Sequence, residues 1–416
     1  MKTCLRSAIA VAVLAAFGGA AHAGVNPQCP DPTDPLQPLL RTIDSSADPA
    51  NARVCLHLAA GDGWALRADG GRHYTFGFSD VTNLPNDQVM TKSGFNAKWS
   101  APTLAFKEGQ EVYLSLTNVG MIHRPDLFDP HSVHFHGFPQ AAPIYDGVPD
   151  ASTSINMGST FTYYYKLNEP GTYIYHCHVE STEHMQMGML GTLYVTPKQD
   201  GQPFADGMLP DGTTPRTFLK FAYNDGNGKT GYDVAFPLQL GGFDGVFHDL
   251  HEAVQPLPFE ALASTHTFIN GRGYPHTVFP GPLRAIQDVI DVQGPEAESS
   301  QIVPALVTAT AGQRVLLRLS NSSVAEYFTV TALGLPMEIV GQGAAIARGL
   351  PGTDSVTLDW KYKTSSVTLG GGESVDVLVD TMGIAPGTYF LYTTNLNYLS
   401  NGNEDRGGIM THIVIN

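Results

Sequence analysis

Two pairs of similar segments show that the chain contains an internal repeat. Residues 108–118 (EGQEVYLSLTN) are similar to 311–321 (AGQRVLLRLSN), and residues 170–178 (PGTYIYHCH) are similar to 386–394 (PGTYFLYTT). Both copies consist of short alternating apolar runs, rich in Val, Thr and Tyr and bounded by Gly, Pro and Asn. Such alternation is typical of β-strands with one buried face. The repeat therefore predicts two related antiparallel β-sandwich domains.

Composition predicts where these domains begin and end. A stretch rich in Gly, Pro and Asp at residues 198–215 indicates a linker. We therefore assign residues 24–197 to a first domain and residues 216–416 to a second. Residues 224–262 have no similar segment in the first copy, so we expect an insertion or a connecting excursion near the start of the second domain.

The N-terminal residues 1–23 have the pattern of a secretory signal peptide. Lys2 and Arg6 precede an apolar stretch that is too short to span a bilayer, and small residues stand at Ala21 and Ala23. No later segment has 18 or more unbroken apolar residues, so we expect a mature chain without a membrane span. A periplasmic or secreted location follows from this interpretation.

Cysteine usage and charge agree with an exported protein. Of the four cysteines, Cys4 would leave with the signal peptide and Cys177 belongs to a motif described below. An oxidising compartment favours a disulfide between Cys29 and Cys55 over two free thiols. Removal of residues 1–23 would change the net charge from -16 to -18, which disfavours nucleic acid and anionic lipid as partners. Such a surface attracts cations or a basic redox partner, or serves only solubility.

Two short motifs, HSVHFHG at residues 131–137 and HCHVESTEHMQMGM at residues 176–189, hold eight potential metal ligands. On an extended strand, successive side chains point to opposite faces. If the two motifs form neighbouring strands, one side therefore collects His131 and Cys177. The other side collects the following residues: His134, His136, His176 and His178. This parity predicts two sites that lie back to back and are joined through Cys177.

The loop after Cys177 adds His184 and Met189 to the first site. Two histidines, a thiolate and a weakly bound thioether are the ligands of a type 1, or blue-copper, electron-transfer centre. We assign Met185 and Met187 to packing. The second site contains only imidazoles, which suit copper that meets a small oxygen species. Zinc is disfavoured because structural zinc sites usually pair two cysteines at close spacing, and one is available here.

The second copy of the repeat lacks these ligands. Tyr392, Thr393 and Thr394 stand where the first copy has HCH, and Thr331 and Leu333 stand where it has the two histidines of HFH. We therefore expect a copper-free second domain with a structural and interface role.

Other histidines and charges are given ordinary roles. Glu180 and Glu183, on the loop after HCH, are interpreted as solvated charges, with proton relay or cation binding as the alternative. Four histidines outside the motifs are assigned to surface or packing roles: His248, His251, His266 and His276.

In combination, these motifs resemble those of multicopper oxidases, which are built of cupredoxin domains. The motifs that carry the resemblance to the first domain of a laccase are HSVHFHG, DGVP (146–149), GTYIYHCH and HMQMGMLG. FINGRGYP (268–275) and the second repeat copy resemble a copper-free domain of the same family, so the resemblance covers roughly residues 50–416. It implies an all-β fold of two cupredoxin-like Greek-key β-sandwich domains.

The resemblance also implies roles for the ligand residues. The type 1 copper ligands would be His131, Cys177, His184 and Met189. Half of the ligands of a type 2/type 3 copper cluster would be His134, His136, His176 and His178. The implied activity is one-electron oxidation of a phenol, a metal ion or a small redox protein at type 1 copper. Transfer through Cys177 and its flanking histidines would then feed the four-electron reduction of dioxygen to water.

Since the family cluster uses eight histidines and this chain supplies four in pattern, we expect a homo-oligomer that shares copper sites. An isologous contact between two copies would bring the four histidines and their symmetry mates together. A copper nitrite reductase is the alternative, in which His136 and His176 match two type 2 ligands and a neighbour in a trimer supplies a third. That family carries an acid in place of His134 and no histidine in place of His178. An electron-transfer protein with only type 1 copper is the third possibility.

Overall fold

The computed structural model describes two β-sandwich domains joined in series. The signal peptide predicted for residues 1–23 lies outside the described residues. The structure describes these ranges: 24–138, 142–209, 212–284, 299–348, 360–402 and 404–416. Within them strands predominate and helices are short, which confirms the predicted all-β class. No helix among the described residues is long and apolar enough to cross a membrane.

The first domain packs two sheets face to face. Within the described part of the chain its strands are β1 Leu39–Arg41, β2 Arg53–Leu66, β3 Arg72–Asp80, β4 Leu104–Lys107, β5 Glu111–Gly120, β6 His134–His136, β7 Thr160–Lys166, β8 Gly171–His176 and β9 Leu190–Thr196. One sheet has the order β1-β2-β5-β7, with β3 paired to β2, and the other has the order β4-β9-β8-β6. Alternate apolar side chains fill the space between them, including the fully buried Phe76, Leu114 and Tyr163.

The second domain repeats this arrangement with more accessory strands. Its described strands are β10 Phe204–Met208, β11 Pro215–Phe218, β12 Lys220–Phe221, β13 Gly231–Tyr232, β14 Val234–Phe243, β15 His266–Ile269, β16 Leu283–Arg284, β17 Ser299–Gln301, β18 Val307–Ala309, β19 Arg314–Asn321, β20 Phe328–Ala332, β21 Met337–Gln342, β22 Ala345–Ile346, β23 Tyr362–Thr364, β24 Val367–Leu369, β25 Ser374–Asp380, β26 Gly387–Thr393, β27 Ser400–Asn401, β28 Glu404–Gly407 and β29 Met410–Ile415. Its sheets have the orders β15-β14-β19-β25-β21-β22, with β23 paired to β21, and β18-β29-β26-β20-β24.

Three short α-helices occur among the described residues: α1 Asn86–Lys92, α2 Ser181–Met187 and α3 Gly245–Glu252. Single 3₁₀ turns are found at Pro143–Tyr145, Phe259–Ala261, His276–Val278 and Leu396–Leu399. Helix α2 follows β8 and the HCH motif directly, so the loop that carries the predicted ligand His184 is helical. Helix α3 is capped at its N-terminus by Asp244, whose side chain accepts hydrogen bonds from the backbone N–H groups of Val246 and Phe247.

The sheets are mixed, whereas the alternating apolar pattern led us to expect antiparallel pairing. Strands β2 and β5 run parallel with Val54 opposite Val112, and β14 and β19 run parallel with Val234 opposite Val315. Parallel neighbours need a crossover, which the intervening elements of each domain supply. Because Val112 and Val315 are equivalent in the repeat, β14 is the counterpart of β2. Part of the 224–262 segment therefore belongs to the repeated sheet.

Two further features of the chain organisation involve its loops. The disulfide predicted between Cys29 and Cys55 is confirmed, and it ties the N-terminal segment to β2. The 198–215 segment predicted to be a linker contains β10, which pairs with β11 at the end of the segment as an antiparallel ribbon. The domain boundaries themselves stay a prediction.

The two domains pack through polar faces of their sheets. The Thr172 hydroxyl donates a hydrogen bond to Asp376 (2.6 Å), the Ser374 hydroxyl donates to the Thr172 carbonyl (2.6 Å), and the Thr192 and Ser320 hydroxyls are 2.9 Å apart. These contacts join β8 and β9 of the first domain to β19 and β25 of the second. They place the turn before β25 beside the predicted histidine cluster.

Candidate metal centres

The strand pairing assumed by the parity argument is present. Strands β6 and β8 are antiparallel neighbours, with His134 opposite His176 and His136 opposite Ile174. His131 lies just before β6 in an isolated bridge to Ile155. The two motifs therefore come together at one end of the first domain.

The first candidate centre is a buried group of one thiol and two imidazoles. Ligand atoms of His131, Cys177 and His184 all lie within 4.8 Å of one another. The Cys177 sulfur is 3.3 Å from Nδ1 of His184 and 3.9 Å from Nδ1 of His131. All three side chains are buried, and Cys177 is not in a disulfide. A soft thiolate with two imidazole nitrogens aimed at one point fits copper.

Met189 adjoins this group through its backbone. The Cys177 N–H donates to the Met189 carbonyl (3.1 Å), and the Met189 N–H donates to the His184 carbonyl (2.8 Å). Gly188, with φ of 122°, makes this turn possible, because a Cβ there would lie 2.2 Å from the Trp99 ring. Met189 is fully buried, and Met187 packs in the apolar core as expected.

The electrostatics of the first centre depend on burial and on one carboxylate. Burial lowers the pKa of His131 well below its usual value, which keeps that imidazole neutral. Burial alone would also lower the pKa of His184, but Cys177 and Asp129 raise it to about 10. Nε2 of His184 lies 3.8 Å from the Asp129 carboxylate. A negative environment of this kind stabilises a bound cation.

The second candidate centre consists of imidazoles alone. Ligand atoms of His134, His136 and His176 lie within 4.8 Å of one another, and Nε2 of His136 is 3.0 Å from Nε2 of His176. The ring of His178 stands 4.9 Å from that of His134, centroid to centroid. The structure therefore brings the ligand atoms of three of the predicted histidines together and places the ring of the fourth, His178, beside them.

Backbone carbonyls orient three of these rings. Nδ1 of His134 lies 2.6 Å from the Asp146 carbonyl, Nδ1 of His176 lies 2.7 Å from the Cys177 carbonyl, and Nδ1 of His136 lies 3.2 Å from the Gly372 carbonyl. Since a carbonyl only accepts, each Nδ1–H donates and each Nε2 keeps its lone pair. The Nε2 atoms then face one another as acceptors, an arrangement that a shared cation stabilises.

The neutral state of two of these rings favours metal binding at this centre. Burial lowers the pKa of His176 to about 3 and also lowers that of His136. Both rings are therefore neutral near pH 7, which is the form that binds metals.

The two candidate centres are joined by adjacent residues of the HCH motif. The Cys177 sulfur faces the first centre, while the Cys177 carbonyl accepts the hydrogen bond from His176 of the second. The His178 N–H donates to the Ser132 hydroxyl (3.1 Å), and the Ser132 N–H lies 3.5 Å from the Cys177 sulfur. The predicted back-to-back arrangement through Cys177 is thus the arrangement in the structure.

The second domain has the same strand register without the ligands. Thr331 on β20 lies opposite Tyr392 on β26, as His134 lies opposite His176 in the first domain. Among the described residues, groups of three or more potential metal ligands occur only in the first domain.

Several residues of the site were not identified from the sequence. Gly372 contacts His136 from the second domain, and the only sequence feature that marked this position was a run of three glycines. No sequence feature marked Asp129 as a site residue. Glu183, interpreted as a solvated charge, is largely buried and lies 2.8 Å from His251, whereas Glu180 is exposed as expected. His251 is buried, which agrees with the packing role assigned to it.

Comparison with known proteins identifies relatives of both halves of the chain. Two family models, each described as Multicopper oxidase, match residues 79–200 and 247–414. Laccase abr2 of Aspergillus fumigatus is 28% identical over 226 residues, which cover 48% of this chain and 37% of that protein. The matching part thus spans well under half the length of this curated relative.

Solved structures show similarity over most of the chain. The Blue Copper Oxidase from Nitrosomonas europaea aligns with a TM-score of 0.59 and 23% identity, covering 87% of this chain and 86% of its own. A copper nitrite reductase from the same organism aligns with a TM-score of 0.52 and 18% identity, covering 88% and 93%. At these identities the similarity concerns the fold alone, and it confirms the predicted cupredoxin-like β-sandwich class.

Proposed function

Since the chain belongs to the multicopper oxidase family, we propose that it is an exported copper oxidoreductase that oxidises a small reductant and reduces dioxygen. Copper, when bound, would supply one-electron chemistry at both centres. His131, Cys177, His184 and Met189 would hold the type 1 copper. The histidine cluster of type 2/type 3 character would be held by His134, His136, His176 and His178.

The observation that carries this proposal is the direct connection between a thiolate pocket and an imidazole cluster. Cys177 contributes its sulfur to the first group, and its carbonyl orients His176 of the second at 2.7 Å. A bare electron carrier needs only the first group and has no use for a cluster of four imidazoles. The second group is therefore the place where dioxygen would be reduced.

The chain's own residues prepare both centres. Three carbonyl-bound rings hold Nε2 lone pairs toward a common point, so little reorganisation is needed when metal binds. Burial of Cys177 and His131 excludes water from the Cys177 sulfur. A phenol, a metal ion or a small redox protein would serve as the reductant, and the acidic surface favours the cationic members of this set.

A copper nitrite reductase is the second candidate, and the close contact between His136 and His176 favours it. These two Nε2 atoms, 3.0 Å apart, would suit a single type 2 copper. The position of His134 and His178 beside them argues for the larger, oxygen-reducing cluster.

Two activity assays separate the candidates. We expect the copper-loaded protein to consume dioxygen when given a phenolic or Cu(I) reductant, and to release no nitric oxide from nitrite. Nitric oxide release without oxygen uptake would show that the protein is a nitrite reductase and not an oxidase. If the protein shows a red charge-transfer band and performs neither reaction, the remaining candidate function is electron transfer.

We further propose that two or more copies share copper sites, because the chain supplies half of the family's cluster histidines. An isologous pair would hold three shared coppers and two type 1 coppers, which is about 2.5 per chain. A trimer with one type 2 copper per chain would hold about 2. Copper analysis together with the native mass distinguishes these, and a monomer with a single copper would exclude both shared-site arrangements.

A further inference from the structure

Helix α3 of the second domain packs against helix α2, which carries the proposed type 1 ligand His184. The buried His248 places one ring nitrogen 2.9 Å from the Gln186 carbonyl on α2 and the other 2.6 Å from the Tyr74 carbonyl on β3. Three residues later on α3, His251 is also buried. Side chains of the copper-free domain thus contact the helix that carries His184.

His251 is the centre of a hydrogen-bonded chain. Its Nε2 lies 2.8 Å from a Glu183 carboxylate oxygen, and its Nδ1 lies 3.3 Å from Nη1 of Arg124. Nη1 of Arg124 also donates to the His251 carbonyl, and the guanidinium pairs with both Asp126 oxygens at 2.8 and 2.7 Å. Because arginine only donates, Nδ1 of His251 accepts and Nε2–H donates to Glu183. Both neighbours therefore select one tautomer.

This chain connects the two segments that carry the imidazole ligands of the first centre. Glu183 immediately precedes His184 on α2. Arg124 and Asp126 begin the loop that leads through Asp129 to His131. His251, which belongs to neither segment, bridges them from the other domain. With His251 3% exposed and the side chains of Arg124 and Glu183 9% and 15% exposed, the contacts are shielded from water and correspondingly strong.

We propose that His251 is a positioning residue for the type 1 centre, which sets the separation of His131 and His184 from outside the copper-binding domain. The inference rests on the proposed type 1 site and goes beyond it by giving the second domain a direct part in that site. Partners outside the ligand shell typically change metal affinity by about 10–100-fold. The geometry around the thiolate also sets the colour and reduction potential of such a centre.

The test compares three variants of the full-length, copper-loaded protein. His251→Leu removes both ring contacts, and His251→Gln keeps one donor and one acceptor. His412→Leu is the matched control, because this second-domain histidine contacts Tyr274 and Phe390 and no residue of the first centre. Chelator competition gives copper affinity, and absorption in the red and redox titration report on the site itself.

We expect His251→Leu to bind type 1 copper about 10–100-fold more weakly and to shift the red band and the reduction potential. His251→Gln should recover part of each effect, and His412→Leu should match the unsubstituted protein. An unsubstituted protein that is loaded but lacks the red band would overturn the type 1 assignment itself. A His251→Leu protein with unchanged band, affinity and potential would overturn only the positioning role.

A fourth variant keeps the test decisive if His251→Leu does not fold. Glu183→Gln retains an acceptor oxygen for His251 but removes the charge at the end of the chain. We expect a smaller shift of the band and potential in the same direction. No shift in a folded Glu183→Gln protein would count against the proposal.

Discussion

The two domains share a sandwich and a strand register, yet in the described part of the chain potential metal sites occur only in the first domain. His134 and His176 face each other across β6 and β8, and Thr331 and Tyr392 face each other at the equivalent place. The same fold therefore forms with or without metal ligands, and metal binding depends on a few side chains at the ends of strands. The second domain instead supplies outer contacts, through Gly372 to His136 of the cluster and through His251 on α3 to Glu183, which precedes His184.

The largest contrast between the domains is expected at the position of the thiol. Cys177→Ser should abolish the red charge-transfer band, because the band requires thiolate ligation. Thr393, the equivalent residue of the second domain, is also fully buried, and Thr393→Ser should leave the band intact. Absorption spectra of the two copper-loaded variants test this. A band that survives Cys177→Ser would show that Cys177 is not the ligand.

Exchange of a cluster residue for its counterpart should separate the two centres. His176→Tyr introduces the residue of the second domain, removes an Nε2 ligand and should reduce oxygen uptake to background while the red band persists. Tyr392→Phe, its matched control in the second domain, should leave both unchanged. Oxygen-electrode rates and spectra provide the measurement. Full oxygen uptake in the His176→Tyr protein would contradict the cluster assignment.

The described part of the chain has its disulfide in the first domain, which predicts an asymmetry in stability. Replacing both Cys29 and Cys55 by Ser should lower the free energy of unfolding by about 3 kcal/mol, because the bridge closes a 26-residue separation. Denaturant unfolding with and without reductant measures this. The red band should persist under native conditions, since the disulfide does not contact Cys177. No loss of stability would mean that the bridge constrains little.

The smallest effect is expected at the contact between the second domain and the histidine cluster. In Gly372→Ala, the new Cβ would lie 2.8 Å from Cε1 of His136. Gly383→Ala is the control, because Gly383 has a similar positive φ, 76° against 85°, and open space around it. Both variants should lose about 1 kcal/mol of stability from the left-handed backbone.

Only Gly372→Ala should reduce oxygen uptake, by about 10-fold, because it displaces the carbonyl that orients His136. Thermal unfolding and initial rates of both variants give the two quantities. Equal rates for the two would mean that Gly372 has a purely structural role.

The local pattern of the chain determined the ligand arrangement. Side chains alternate on strands, so for two neighbouring strands the spacing of His134, His136, His176 and Cys177 already predicted two faces and a shared cysteine. The repeat likewise determined that there are two related domains and that one lacks the ligands. Strand alternation and internal similarity are properties of the residue order itself, which is why the sequence alone reveals them.

Tertiary packing decided what surrounds those ligands. Gly372 lies 236 residues from His136, and His251 lies 68 residues from Glu183, so no local period relates the partners. The helical form of the ligand loop and the parallel pairing of β2 with β5 were also missed, because both depend on elements distant in sequence. Strand periodicity encodes the face on which a side chain lies, whereas the group that meets it there is set only when the sheets and domains pack together.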